Sequence, residues 1–447
     1  GTRVADAWDA RAHDAHFDAG PVAAGQPPSA CMRKAPERTR RLLFRYHRCD
    51  FPAYKVTYMT LHPQAQSRSR ARFLADRIRT FIQSEAVLAI AALAAVASMA
   101  AFPPVPDNLP TYLEAIDLRT IGLLFCLMTV VAGFTRAGLL ARARTLLTRG
   151  QSGTRGIVLL LVTISFFASM VVTNDVALIS FVPLTLLLLQ HATPRTLIIA
   201  LVAQTVAANL GSMMTPIGNP QNIYLYSTFN IDLGTFLVTL APYGILGLAA
   251  SLLPCVLIPN EPLAANELRE ASINRHLLAV YSVLFALALA CVGRIVSWEL
   301  CTIVTIVACL VFDRSVLRHI DYSLLATFVC FFIFVGNLKH VDALVTALQG
   351  LLAGREVLVS ALTSQVISNV PAAIMLSGFT HNATGLLIGT NIGGLGTPVA
   401  SLASLITLRI YARSGNAQTG RYLLYFLVYN VILLALFLAL ACVLGHV

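Results

Sequence analysis

From Ser84 to the C-terminus, long apolar windows follow one another with only short polar interruptions. Windows of about 18 residues or more are long enough to cross a bilayer as helices. The expected fold class is therefore an all-α polytopic membrane protein. Composition agrees, because only 12% of the residues are charged, roughly half the share carried by a soluble domain.

Within this apolar region, residues 208–222 (Ala-Asn-Leu-Gly-Ser-Met-Met-Thr-Pro-Ile-Gly-Asn-Pro-Gln-Asn) are dense in Gly, Pro and amides. A helix cannot run through them unbroken: Pro removes a donor and clashes with the previous turn, and Gly is a poor helix former. Irregular backbone at membrane depth is tolerated only where it is buried in protein or lines a cavity. The stretch has an echo in Asn391-Ile392-Gly393-Gly394-Leu395-Gly396-Thr397-Pro398-Val399, and the Asn-to-Thr spacing is the same in both copies. Paired Gly/Pro-interrupted segments in corresponding places point to the binding site of a secondary transporter.

Residues 1–83 are rich in Arg, Ala and His, without sustained periodicity or a spanning segment, and read as a basic, disordered cytoplasmic extension. Arg68, Arg70, Arg72, Arg77 and Arg79 form a basic anchor before the first span. Spans are expected at 84–102 and 118–134, flanking a non-cytoplasmic loop with Glu114 and Asp117. The loop after the second span carries Arg136, Arg142, Arg144, Arg149 and Arg155, which places it in the cytoplasm. Residues 157–190 exceed one span of about 20 residues and are too few for two with a loop. They read as a re-entrant hairpin with Thr173-Asn174-Asp175 as its tip. A broken helix at 196–226 and a span at 233–257 complete a first repeat, 84–258.

A charged linker, 259–276, leads to a second repeat, 277–447. Its spans are expected at 277–292, 298–312 and 322–338, one more than precede the first hairpin. The second hairpin then enters from the opposite face. Its arms are read at 356–367 and 372–379, with Ser368-Asn369-Val370-Pro371 as the tip. A broken helix at 384–409 and a last span at 422–444 put the C-terminus outside the cytoplasm. The halves are expected to be inverted-topology repeats.

Hydroxyls and amides at the tips, with carbonyls from the broken helices, suit Na⁺ or a shuttling proton; the helix N-termini after each tip suit an anion. The expected binding residues are Thr173, Asn174, Asp175, Asn209, Gly211, Thr215, Pro216, Gly218, Asn219, Pro220, Ser368, Asn369, Pro371, Asn391, Gly393, Thr397 and Pro398. Within that set, Na⁺ is placed at Thr173, Asn174 and Asn209 and at Ser368, Asn369 and Asn391. The alternative for the tip residues is N-capping of the second hairpin arm. Asp175 is the one carboxylate deep in an apolar span; charged there, it costs about 2.5–3.5 kcal/mol and is paired, protonated or cation-bound. Gln204 and Gln365 either line the cavity or bridge helices. Lys339 and His340 read as interfacial groups.

At these residues the chain resembles the ion transporter superfamily of citrate transporter-like carriers, arsenite/antimonite permeases, NhaD-type sodium/proton antiporters and divalent anion:sodium symporters. Thr173-Asn174-Asp175-Val176-Ala177, Val182-Pro183-Leu184, the stretch 209–222, Ser368-Asn369 and 391–398 carry the likeness. The resemblance implies two hairpins, two broken helices, a scaffold that often dimerises, and elevator-type movement. In the divalent anion symporters a Ser-Asn-Thr tip in each half helps bind sodium and substrate carboxylates. Here Asp175 and Val370 stand where that pattern has a hydroxyl, so proton coupling through Asp175 stands beside sodium coupling.

The expected function is secondary active transport of a di- or tricarboxylate or an inorganic oxyanion across the cytoplasmic membrane, coupled to H⁺ or Na⁺; a Na⁺/H⁺ antiporter is the rival. The partners are then the small anion, the bilayer and a second copy of the chain, and no cofactor is called for. The formal charge of +11 is not a nucleic-acid signal, since about half of the Lys and Arg precede residue 84 and most others follow the positive-inside pattern. The nine Cys form no Cys-x-x-Cys pattern and imply neither zinc nor a disulfide framework. No zinc-protease motif or P-loop is present, which argues against an enzyme or a primary pump. One hypothesis places the natural start at Met59. N-terminal sequencing of natively expressed protein is then expected to begin there, and residues preceding Met59 would refute it.

Overall fold

The computed structural model describes residues 85–104, 112, 114–139, 142, 153–262, 272–415 and 417–446. The chain divides into two units, Gly1–Leu74 and Ala75–Val447, and every described residue belongs to the second. The basic extension and Met59 lie outside the described residues.

Among the described residues the structure is helical. Two helices come first, α1 (Ala86–Ala101) and α2 (Leu118–Arg136), the latter capped by Asp117, which accepts from the Thr120 amide. The first hairpin is α3 (Thr154–Val172) and α4 (Asn174–Leu188). The first broken helix is α5 (Pro194–Ser212) and α6 (Pro220–Thr228), followed by α7 (Leu233–Val256). Next come α8 (Arg275–Val292), α9 (Trp298–Phe312), α10 (Tyr322–Leu338) and α11 (Asp342–Leu352). The second hairpin is α12 (Glu356–Ile367) and α13 (Asn369–Ser377). The second broken helix is α14 (Ala383–Ile392) and α15 (Leu402–Ala412), with a 3-10 turn at Pro398–Ala400 between them; α16 (Thr419–Val443) ends the chain. Six of these helices are long and apolar enough to cross a membrane.

Contacts between loops sort the helix ends into two sets. At one end, Arg136 forms an ion pair with Asp313 at 2.8 Å, the Asn274 amide donates to the Ala137 carbonyl, and the Thr154 amide donates to the Glu261 carbonyl. Burial alone would raise the Asp313 carboxyl, but hydrogen bonds from Ser315 and Arg136 outweigh it and hold the group below its ordinary value. At the other end, Arg294 donates to the Ile231 carbonyl, Asn337 donates to Ser98, and the rings of Phe102 and His340 lie 5.5 Å apart.

The hairpins and broken helices pack in a matching pattern. α3 lies along α5 as α12 lies along α14, and each hairpin's second arm packs on the half-helix from the other break: α4 on α15, and α13 on α6. Close approach between hairpin and broken helix needs glycine in each pair. A Cβ on Gly211 would lie 2.1 Å from the Phe166 carbonyl oxygen and 2.6 Å from Ser169 Oγ; one on Gly393 would lie 2.9 Å from Ala361 Cα and 2.8 Å from Ser364 Oγ. Ser169 and Ser364 each stand four residues before their hairpin's turn.

Two departures from the sequence reading stand out. The second arm of the second hairpin begins at Asn369 rather than 372 and ends at Ser377 rather than 379, because Pro371 falls in the first helical turn, where a missing N–H costs nothing. The other is α11, bent by 107° from α10 and assigned to no element from sequence. Its eleven residues are too few to span, and its Leu344, Val345 and Leu348 are its half-buried side.

Replacing Gly211 with Val is expected to displace α3 from α5 and cost the fold more than about 1–3 kcal/mol, the usual cost of overpacking, because the obstruction is backbone. Thermal unfolding of the purified protein measures it; a variant as stable as the parent would show that the two helices part without cost.

Candidate functional site

Each hairpin turns on a single residue. Thr173 has φ 69° and ψ 153°, and Ser368 has φ 75° and ψ 154°. This region is essentially reserved for glycine and costs of order 1–3 kcal/mol in other residues. The two turns share it to within a few degrees. Asn174 and Asp175 are already in the first turn of α4, as Asn369, Val370 and Pro371 are in that of α13. Neither Thr173 nor Ser368 caps the following helix through its side chain, so N-capping does not account for them. Instead, Asn174 Oδ1 and Asn369 Oδ1 accept from the next residue's backbone amide, each at 3.0 Å.

The threonines of the two breaks hold the hairpins in equivalent ways. Thr215 Oγ1 donates to the Met170 carbonyl at 2.6 Å, and Thr397 Oγ1 to the Gln365 carbonyl at 3.0 Å. Both acceptors lie three residues before their turn. That bond explains why the Asn-to-Thr spacing recurs.

The asparagines cross between the breaks. Asn209 Oδ1 accepts from Asn174 Nδ2 at 3.2 Å and from Ser401 Oγ at 3.0 Å, while its Nδ2 donates to Ser404 Oγ at 3.3 Å and the Gly394 carbonyl at 3.5 Å. Its full capacity of two acceptors and two donors is thus met. Asn391 Nδ2 donates to Asn222 Oδ1 at 2.6 Å, and its Oδ1 accepts from Asn219 Nδ2 at 3.1 Å. Asn219 caps α6 by accepting from the Asn222 amide at 2.9 Å, with Pro220 in the first turn. The Gly218 carbonyl accepts from the Asn174 amide at 3.2 Å, and Ser368 Oγ donates to the Ala400 carbonyl at 3.4 Å. Pro216 lies in the turn between α5 and α6, and Pro398 opens the 3-10 turn. The N-termini of α4, α6, α13 and α15 therefore all start within one hydrogen-bonded network.

The carbonyls freed at the breaks are met by different residues in the two halves. Asn222 Nδ2 donates to the carbonyls of Met213 at 3.3 Å and Thr215 at 3.1 Å. Gln365, from the hairpin, donates to the carbonyls of Gly393 and Leu395, both at 2.9 Å, and accepts from the Thr397 amide at 2.8 Å. Gln204 bridges helices, accepting from Thr185 and donating to Ser165. Asn222, Ser401 and Ser404 belong to this network but are absent from the sequence-based set; the signal available was their position as polar groups flanking the breaks.

A family model described as citrate transporter matches residues 80–386, more than half of the chain. The chain belongs to the citrate transporter family. An uncharacterized transporter of Methanocaldococcus jannaschii is 33% identical to it over 273 residues, 59% of this chain and 73% of the relative. The inner membrane protein YbiR of Escherichia coli (strain K12) is 31% identical over 323 residues, 69% of this chain and 83% of the relative. The silicon efflux transporter LSI3 of Oryza sativa subsp. japonica is 33% identical over 141 residues, 31% of this chain and 28% of the relative. The protein is thus a multi-pass membrane transporter. The family match ends before Asn391, so the likeness of the second break to the first rests on the hydrogen bonds above.

The two hairpin tips differ at the residue after the asparagine. Asp175 follows Asn174 where Val370 follows Asn369. Asp175 Oδ1 is sealed from solvent and has no hydrogen-bond partner. By contrast, the side-chain oxygens of Asn174, Asn209, Asn369 and Asn391 each accept from a protein donor. Among the described residues no group of three or more His, Cys, Asp or Glu is placed to hold a metal ion.

Thr173→Gly and Ser368→Gly are each expected to raise the thermal midpoint, since glycine relieves about 1–3 kcal/mol of strain against about 0.5–1 kcal/mol of added backbone entropy. Transport is expected to fall in both, because the hydroxyl is lost. A lowered midpoint would show that these hydroxyls stabilise the turns.

Proposed function

We propose that the chain is a secondary active transporter that moves a small anion, a di- or tricarboxylate or an inorganic oxyanion, coupled to H⁺ or Na⁺. The observation that carries the reading is the meeting of four helix N-termini, those of α4, α6, α13 and α15, in one network of amides and hydroxyls. Their converging positive dipole ends favour an anion. Asp175, half-buried beside that network with one sealed, unpartnered oxygen, is the proposed coupling group, protonated or bound to Na⁺. The rival reading is a Na⁺/H⁺ antiporter on the same fold, and it too is favoured by Asp175.

The further features of the reading follow from topology. The two halves are inverted repeats, residues 84–258 and 277–447 joined by the linker 259–276. The hairpins and broken helices move together past the remaining helices as an elevator, and two copies of the chain pair through the scaffold. The arginine-rich end, with Arg136, Arg142 and Arg155, faces the cytoplasm of the cell's inner or plasma membrane. The C-terminus is extracytoplasmic.

The test is uptake into proteoliposomes of citrate, succinate, sulfate, arsenite, silicic acid and Na⁺, each with and without imposed H⁺ and Na⁺ gradients. Silicic acid is included because of the silicon efflux relative. Anion accumulation that needs a gradient is expected, reduced by about tenfold or more in Asp175→Asn. Gradient-driven Na⁺ movement without transport of any anion would overturn the reading and leave the antiporter.

A further inference from the structure

A second site stands apart from the hairpins. The start of α2 and the turn joining α8 to α9 enclose a surface cavity of about 380 Å³ lined by Arg119, Cys291, Arg294, Ile295, Ser297 and Trp298 among others. Two guanidinium groups share it. Among the described residues neither is in an ion pair. The nearby carboxylates of Asp117 and Asp232 are occupied as helix caps, accepting from the Thr120 and Thr235 amides, and Glu299 is exposed in the first turn of α9. Both arginines belong to the end opposite the arginine-rich loops, where the positive-inside pattern makes basic residues sparse.

We infer that this cavity binds the phosphate group of an anionic phospholipid. The depth is right for a headgroup. α2 and α8 are helices able to cross a membrane, and the cavity lies where they end. Arg119 is in the first turn of α2, Arg294 follows the last residue of α8 by two, and Trp298 opens α9. Trp is favoured at that level. Ile295 of the lining is 83% exposed, and Leu118 and Leu300, next to Arg119 and close to Trp298 in the chain, are exposed as well, as acyl chains would require. Arginine's planar fork matches phosphate oxygens in pairs.

Arg294 also gives the site a reach into the transport machinery. It holds a left-handed backbone conformation, φ 62°, donates to the Ile231 carbonyl at 3.0 Å and lies 5.3 Å over the Tyr226 ring. Tyr226 is in α6, the second half of the first broken helix, and Ile231 is in the loop that follows. A phosphate drawn to Arg294 therefore competes with the contact that ties the end of α6 to the α8–α9 turn.

Trp298 supplies the readout, with Trp8, the other Trp of the chain, replaced by Phe. The full-length protein in a phosphate-free maltoside detergent is titrated with dihexanoyl phosphatidylglycerol, dihexanoylglycerol and inorganic phosphate, following Trp298 emission. Saturable binding of phosphatidylglycerol but not of dihexanoylglycerol is expected. The double variant Arg119→Gln/Arg294→Gln is expected to bind at least about tenfold more weakly, given what a charge-assisted hydrogen bond contributes. Arg314→Gln at the opposite end is expected to bind like the parent. Inorganic phosphate saturating as tightly as the lipid, with the same arginine dependence, would support the phosphate site and assign it to the soluble ion. Equal responses to both lipids would overturn the inference. Arg119→Lys/Arg294→Lys keeps the charge and guards against a misfolded Gln variant; phosphatidylglycerol binding unchanged in a folded Gln variant would also overturn it.

Discussion

Everything in this structure depends on how backbone groups released at two helix breaks find partners away from water. An orphaned N–H or C=O at membrane depth costs several kcal/mol. The chain meets that demand with amide side chains, each of which offers both donors and acceptors. Asn222 takes the carbonyls at the end of α5, and Gln365 those after α14. The same function is thus served from within the broken helix in one half and from the hairpin in the other.

Those partners also fix the geometry of the site. Asn209 reaches from the first break to the second, Asn391 reaches back, and the threonines of both breaks clamp the hairpins three residues before their turns. The strain at Thr173 and Ser368 persists because the surrounding bonds over-determine it. Hairpins and broken helices are thus cross-linked to one another by these hydrogen bonds. The crossed packing of α4 on α15 and α13 on α6 sets each hairpin's second arm against the half-helix from the other break.

Much of this was legible in the residues. Apolar windows located the helices, because an isolated helix in lipid satisfies its own backbone and leaves a simple compositional trace. The Gly/Pro interruptions located both breaks, and the conserved spacing between Asn and Thr within the chain's two copies pointed to equivalent bonds. The extent of the turns was less legible. Three or four residues marked each tip, but the chain turns at one, since Asn, Asp and Val can all occupy a first helical turn. α11 escaped notice because a short amphipathic helix has neither the length of a span nor the polarity of a loop.

The sequence by itself determined that the protein is a helical membrane transporter with two broken helices, because length, apolarity and helix-breaking residues act locally. Only the tertiary structure decided which groups meet. Asn209 lies far from Ser401 along the chain, as Asn219 does from Asn391, and a hydrogen bond between residues so far apart leaves no mark in local pattern. It likewise decided that the four amide oxygens are engaged by protein donors while Asp175 Oδ1 is left without one. Satisfaction of a buried polar atom is a property of the packed whole, not of the segment that carries it.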